Sequence, residues 1–110
     1  MEIDEKQVNQ ILVLTLADKR LDASVAVAFK NQMTDFIDKG HKIVLINMAN
    51  IDFIDSSGLG AVVSCLKHRG IKGKIALSNL SPAVAAMFKL TRMDQVFAIY
   101  PEESKALEEL

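Results

Sequence analysis

Ile11-Leu12-Val13-Leu14-Thr15-Leu16 is a short, almost unbroken apolar run. A run of this kind reads as a strand covered on both faces, because a strand with one wet face would alternate polar and apolar residues. Working outward, residues Met1 to Lys6 are expected to pair with it as an edge strand, with Asn9-Gln10 near the turn. Ile43-Val44-Leu45-Ile46 repeats the pattern as a second buried strand, and Ile75-Ala76-Leu77 as a third. Val96-Phe97-Ala98-Ile99 is read as a fourth.

Between these runs the apolar period lengthens from two residues to nearly four. Ala26, Phe29, Met33, Phe36 and Ile37 make a helical stripe, with Ser24 placed to cap it and Gly40 to stop it. Leu59, Val62, Val63 and Leu66 mark a second helix that ends at Gly70. Ser81-Pro82 puts a capping hydroxyl and a first-turn proline ahead of Val84, Met87, Phe88 and Thr91. A last helix after Pro101 is expected to carry Leu107 and Leu110 inward. Strands alternating with helices imply right-handed crossovers. The expected fold is therefore α/β: a mixed, mostly parallel sheet of four to five strands, with about four helices packed mainly on one face.

The chain has 110 residues, half of them apolar and a quarter charged, with a net charge of −1. This is the balance of one globular domain, and it lacks the concentrated basic face a nucleic-acid binder needs. The densest basic group, Lys67, His68, Arg69, Lys72 and Lys74, reads as a solvated helix end and turn. No signal peptide is seen in the acidic start Met1-Glu2-Ile3-Asp4-Glu5, and no apolar run approaches the roughly 18 residues of a membrane span. A reducing, cytoplasmic setting is expected. Cys65 is the only cysteine, which excludes an internal disulfide or a multi-cysteine zinc site. His41 and His68 are read as surface residues, so no metal or cofactor is expected.

Packing does not account for Ile51-Asp52-Phe53-Ile54-Asp55-Ser56-Ser57-Gly58-Leu59-Gly60, which leads into the second helix. A carboxylate and two hydroxyls crowd a helix start, where backbone N–H groups lack partners and capping residues are preferred. Gly58 and Gly60 weaken that first turn by about 1 kcal/mol each relative to alanine. Two uses suit such glycines: a bare surface for another protein, or close packing against a strand. Spacing alone leaves both open. The free N–H groups and positive dipole end also suit a phosphate. From the residues alone, Ser56 and Ser57 are equal candidates to carry one.

Phe53-Ile54-Asp55-Ser56-Ser57-Gly58-Leu59-Gly60 resembles the central motif of the STAS family, the domain shared by sulphate transporters and anti-sigma factor antagonists. The resemblance extends through Leu21-Asp22, Ser81-Pro82-Ala83-Val84 and Phe97-Ala98-Ile99-Tyr100, and so covers essentially the whole chain, residues 1–110, as one STAS domain. Within the family the chain is most similar to stand-alone bacterial anti-sigma factor antagonists. That resemblance implies a phosphoacceptor at Ser56, directly after the motif aspartate. It implies a partner surface formed by Asp22, Asp55, Ser57, Gly58 and Leu59. The implied partner is an anti-sigma factor that is also a serine kinase using ATP, and the implied resetting enzyme is a PP2C-type phosphatase. Two positions depart from the pattern. Lys19 and Arg92 stand where relatives often carry glycine.

Catalysis by the chain itself is not expected. It has no Gly-x-Ser-x-Gly elbow, no phosphate-binding Gly-x-x-x-x-Gly-Lys loop and no dinucleotide fingerprint. Asp52 and Asp55 read as loop and capping residues rather than a catalytic pair. Since some STAS domains are accessory subunits of membrane transporters, such as lipid-trafficking ATP-driven systems, a cytoplasmic subunit of that kind is the alternative reading.

Overall fold

The Ile11–Leu16 run lies second in the main sheet. In the computed structural model, which describes residues 1–70 and 73–110, the elements are β1 (Ile3–Val8), β2 (Ile11–Leu16), β3 (Arg20–Leu21), α1 (Ala26–Asp38), β4 (Ile43–Asn47), β5 (Phe53–Ile54), α2 (Ser56–Arg69), β6 (Lys74–Ser78), α3 (Pro82–Leu90), β7 (Ala98–Tyr100) and α4 (Glu103–Glu109). A 3-10 turn at Met93–Gln95 lies between α3 and β7. The main sheet has the order β1-β2-β4-β6-β7. β1 runs antiparallel to β2, and the other neighbours are parallel. The hairpin turns at Asn9-Gln10, where Asn9 takes a φ of 55°, a left-handed conformation that asparagine tolerates better than most residues.

Alternation along the strands sends residues to two unequal layers. Leu12, Leu14, Leu16, Val44, Ile46, Ile75 and Leu77 join Phe29, Met33, Val62 and Phe88 in the larger core, beneath α1, α2 and α3. Ile11, Val13, Leu45 and Ala76 face the other way, onto Ala106 and Leu107 of α4 and the Leu110 that follows it. Three helices on one face and one on the other match the expected mixed sheet covered mainly on one side. Phe88 and Phe97 meet edge to face, with ring centroids 5.9 Å apart, and so fix α3 against the start of β7.

Several local expectations are corrected. Ser24 does not cap α1. The residue before the helix is Val25, which makes no side-chain cap, while the backbone N–H and hydroxyl of Ser24 both turn to Asp22. β7 begins at Ala98, because Val96 caps the end of the 3-10 turn and is exposed. The buried stripe of α2 is Gly58, Leu59, Ala61, Val62, Cys65 and Arg69, with Val63 and Leu66 only half-buried. Thr91 is exposed, its hydroxyl donating to the Met87 carbonyl at 2.8 Å. By contrast, Ser81 caps α3 by accepting from the Val84 N–H, with Pro82 in the first turn. Within the basic group Lys72 lies outside the described residues.

Arg92 explains one departure from the family pattern. Its φ of 62° and ψ of 18° place it in the left-handed region, which a glycine enters freely and another residue enters at a cost of about 1 kcal/mol. Lys19 has no such backbone demand, since the positive-φ residues among those described are Asn9, Gly40, Gly70, Asn79 and Arg92.

Candidate functional site

A second, two-stranded parallel sheet organises the start of α2. β3 pairs with β5, Arg20 opposite Phe53 and Leu21 opposite Ile54. Each strand is too short to show a period, so no sequence pattern announces the pairing. It brings the segment before α1 alongside the segment before α2. Asp55 then ties the two helix starts together. One of its carboxylate oxygens accepts the Gly58 N–H at 2.8 Å and caps α2, and the other accepts the Ala23 N–H at 3.1 Å. Its own backbone N–H donates to the Leu21 carbonyl at 3.3 Å.

Asp22 does the same for the turn that enters α1. Its Oδ1 accepts from the Ser24 N–H and hydroxyl, its Oδ2 accepts from Arg20 Nε at 3.0 Å, and its carbonyl accepts from Val25 and Ala26. The Ser24 hydroxyl, followed by Arg20, holds the Asp22 carboxyl below its ordinary value of 3.8. Because the folded value is the lower one, the contribution of Asp22 to stability is complete above pH 3.8 and is lost as the pH falls through the folded value. An NMR titration should place the Asp22 midpoint below 3.8, and Arg20→Ala should move it upward. An unmoved midpoint would show that Arg20 does not hold this carboxylate.

The candidate residues named from the sequence therefore separate by depth. Ser56 and Ser57 are exposed on the first turn of α2, and capping uses neither hydroxyl because Asp55 supplies it. Asp22 and Asp55 are half-buried and committed to the frame. Gly58 and Leu59 lie beneath the surface, Leu59 at 8% exposure. The two glycines differ in what surrounds them. A Cβ on Gly58 would lie 1.9 Å from the Leu21 carbonyl oxygen, so this glycine serves close packing. A Cβ on Gly60 would meet nothing within 4 Å, so this one leaves the outer face of the helix bare.

Sequence reasoning missed a neighbouring feature. Phe53 is 41% exposed, and the Arg20 guanidinium lies 4.3 Å from its ring centroid. An aromatic inside the motif and a cation before α1 were both visible in the sequence. Their contact depends on the β3–β5 register. The surroundings carry more acidic than basic groups: Glu2, Asp18, Asp22, Asp52, Asp55 and Glu103 all lie near the C-terminal ends of the parallel strands, against Lys19, Arg20 and the Lys6 that pairs with Glu103 at 2.7 Å.

Among the described residues no three His, Cys, Asp or Glu side chains gather as a metal site, and no helix is long and apolar enough to cross a membrane. Asp52 is exposed, and its backbone N–H donates to the Lys19 carbonyl at 2.7 Å. His68 points to Asp38, and Cys65 is buried in the core. Burial pushes the Cys65 thiol up to about 12. A thiol-specific reagent at pH 8 should therefore leave it unmodified until the chain is unfolded. Rapid labelling of the native protein would contradict its place in the core.

The STAS domain family model matches residues 2–106. A protein of Thermotoga neapolitana named as a candidate anti-sigma factor antagonist is 32% identical over 101 residues, which is 90% of this chain and 89% of that protein. The crystal structure of a candidate antagonist from Thermotoga maritima superposes with a TM-score of 0.88 at 29% identity, covering 97% of this chain and 92% of that one. The anti-sigma factor antagonist SpoIIAA, solved unphosphorylated and phosphorylated, superposes with TM-scores of 0.79 and 0.72 at 22% and 21% identity. Those structures cover 98% of this chain, and 95% and 98% of their own, and at that identity the likeness is one of fold. With the match running from β1 into α4 and through the Asp55-Ser56-Ser57-Gly58 turn, this chain belongs to the STAS-domain family.

Proposed function

We propose that the chain is an anti-sigma factor antagonist that works by partner switching. The unphosphorylated protein binds an anti-sigma factor that is also a serine kinase. The kinase transfers phosphate from ATP to Ser56 and is thereby released, and a PP2C-type phosphatase restores the hydroxyl. The chain is a cytoplasmic regulator in this scheme, with no catalytic group of its own. The observation that carries the reading is the exposure of Ser56 on a helix start already capped by Asp55. A phosphate can be added there without removing a bond that holds the fold, and the helix dipole favours it. The antagonist names of the relatives and the phosphorylated state of SpoIIAA support the same reading.

Ser57, Asp22 and Asp55 border the proposed partner surface, and Gly58 and Leu59 shape it from below. The test is to incubate the protein with a serine kinase encoded beside its gene and ATP, then to map the phosphosite by mass spectrometry. Phosphate is expected on Ser56 and absent from the Ser56→Ala variant. Phosphate on Ser57 alone, or at a site remote from α2, would overturn the assignment.

A further inference from the structure

The far end of the molecule from Ser56 is basic, and the fold gathers it from two stretches of sequence. Lys39, His41 and Lys42 follow α1, while Lys67, His68 and Arg69 close α2. β6 begins between them, its Lys74 N–H donating to the Lys42 carbonyl at 2.8 Å. Here a cavity of about 420 Å³ is lined by Ile37, Asp38, Gly40, Lys42, His68 and Arg69. Cations at helix C-termini are ordinarily explained by the helix dipole, and exposed side chains such as Lys67 need no other account.

Arg69 differs. It is only 8% exposed, and its buried Nε–H meets no acceptor among the described residues. Its guanidinium packs over Gly73, where a Cβ would lie 2.0 Å from Nε, so the glycine leaves the space that the arginine fills. Asp38, the carboxylate of the cavity, is 62% exposed and is held by His68 Nε2 at 2.8 Å. A buried donor on an always-charged group is costly to leave unmatched, and native structures rarely tolerate one without a water, an ion or a ligand. Dipole compensation requires no such burial.

We infer that this cavity binds a phosphoryl anion, with Arg69 as the central donor and Lys42 and His68 beside it. A guanidinium fork suits phosphate oxygens in shape and charge, and a second cation at the rim suits a group carrying more than one negative charge. The volume exceeds that of phosphate alone and falls in the range of small-ligand sites. A soluble phosphate ester and a lipid headgroup share this chemistry.

The test is a ¹H–¹⁵N NMR titration with inorganic phosphate and with pyrophosphate, at ionic strength matched with sodium chloride. Alongside it, the protein is sedimented with phosphatidylcholine vesicles with and without phosphatidylglycerol. Saturable shifts at the Lys42, His68 and Arg69 amides are expected. Lys42→Gln, at an exposed position, should weaken them about tenfold, the size expected for losing one charge-assisted bond. Arg69→Gln should abolish them, and the Lys42 variant keeps the test valid if Arg69→Gln does not fold. Sedimentation that requires phosphatidylglycerol and is lost in Lys42→Gln would support the site through its lipid source. Shifts reproduced by chloride alone, or unaltered affinity in Lys42→Gln, would overturn the proposal, as would no response in either arm.

Discussion

Gly58→Ala is expected to lower the unfolding free energy by about 3 kcal/mol, the upper part of the range for overpacking a close contact. The added methyl would sit 1.9 Å from the Leu21 carbonyl oxygen and 2.7 Å from its carbon. Both atoms are backbone, so no rotamer change relieves the clash. That same oxygen accepts the Asp55 N–H, and Asp55 holds both helix starts. Moving it would loosen β3, α1 and α2 together. Urea unfolding followed by circular dichroism measures the loss. Gly60→Ala is the control, expected to add up to about 1 kcal/mol because its Cβ meets open space and alanine favours helix. Equal stability of the two variants would mean that β3 does not pack on α2 as described.

The second large effect concerns affinity and rests on the proposed switch. Ser56→Ala is expected to bind the kinase tightly, and Ser56→Asp two to three decades more weakly, roughly the span that about 4 kcal/mol produces. Phosphorylation adds about −1.5 to −2 charges. Opposite a partner carboxylate about 4 Å away, one unit of charge at an effective dielectric of 20 repels by about 4 kcal/mol. No rearrangement of the chain is required, because Asp55 rather than Ser56 supplies the cap. Isothermal titration calorimetry gives the two affinities, and circular dichroism of both variants should match the parent. Equal affinities would remove the switch, and unfolding of Ser56→Asp would remove the structural basis for it.

Much of this architecture is legible in the sequence wherever a periodic pattern runs for several residues. The β2, β4 and β6 runs and the stripe of α1 have that length, and each was placed within about two residues, the usual blur of element ends. Ser81-Pro82 was readable because cap and proline act locally. β3 and β5 were not, since two-residue strands carry no period and depend on a pairing thirty-odd positions apart. The start of α1 misled for a related reason. Ser24 has the chemistry of a cap, but the Asp22 carboxylate competes for both its N–H and its hydroxyl. At the site, the sequence named the candidate residues without their depth. Only the β3–β5 register shows that Gly58 is sealed against Leu21 while Gly60 stays open. Arg69 looked like another solvated helix-end cation, and its burial depends on Gly73 making room.

The separation of carboxylates around the α2 start from cations at the other end gives the molecule a permanent electric moment along its sheet. Such a moment turns a protein in the field of a charged partner before the surfaces touch, and it acts on encounter rates more than on lifetimes. A phosphate on Ser56 would lengthen that moment without reversing it. Opposite the partner carboxylate considered above, modification would slow arrival as well as weaken the bound state, and added salt should mute the first effect before the second.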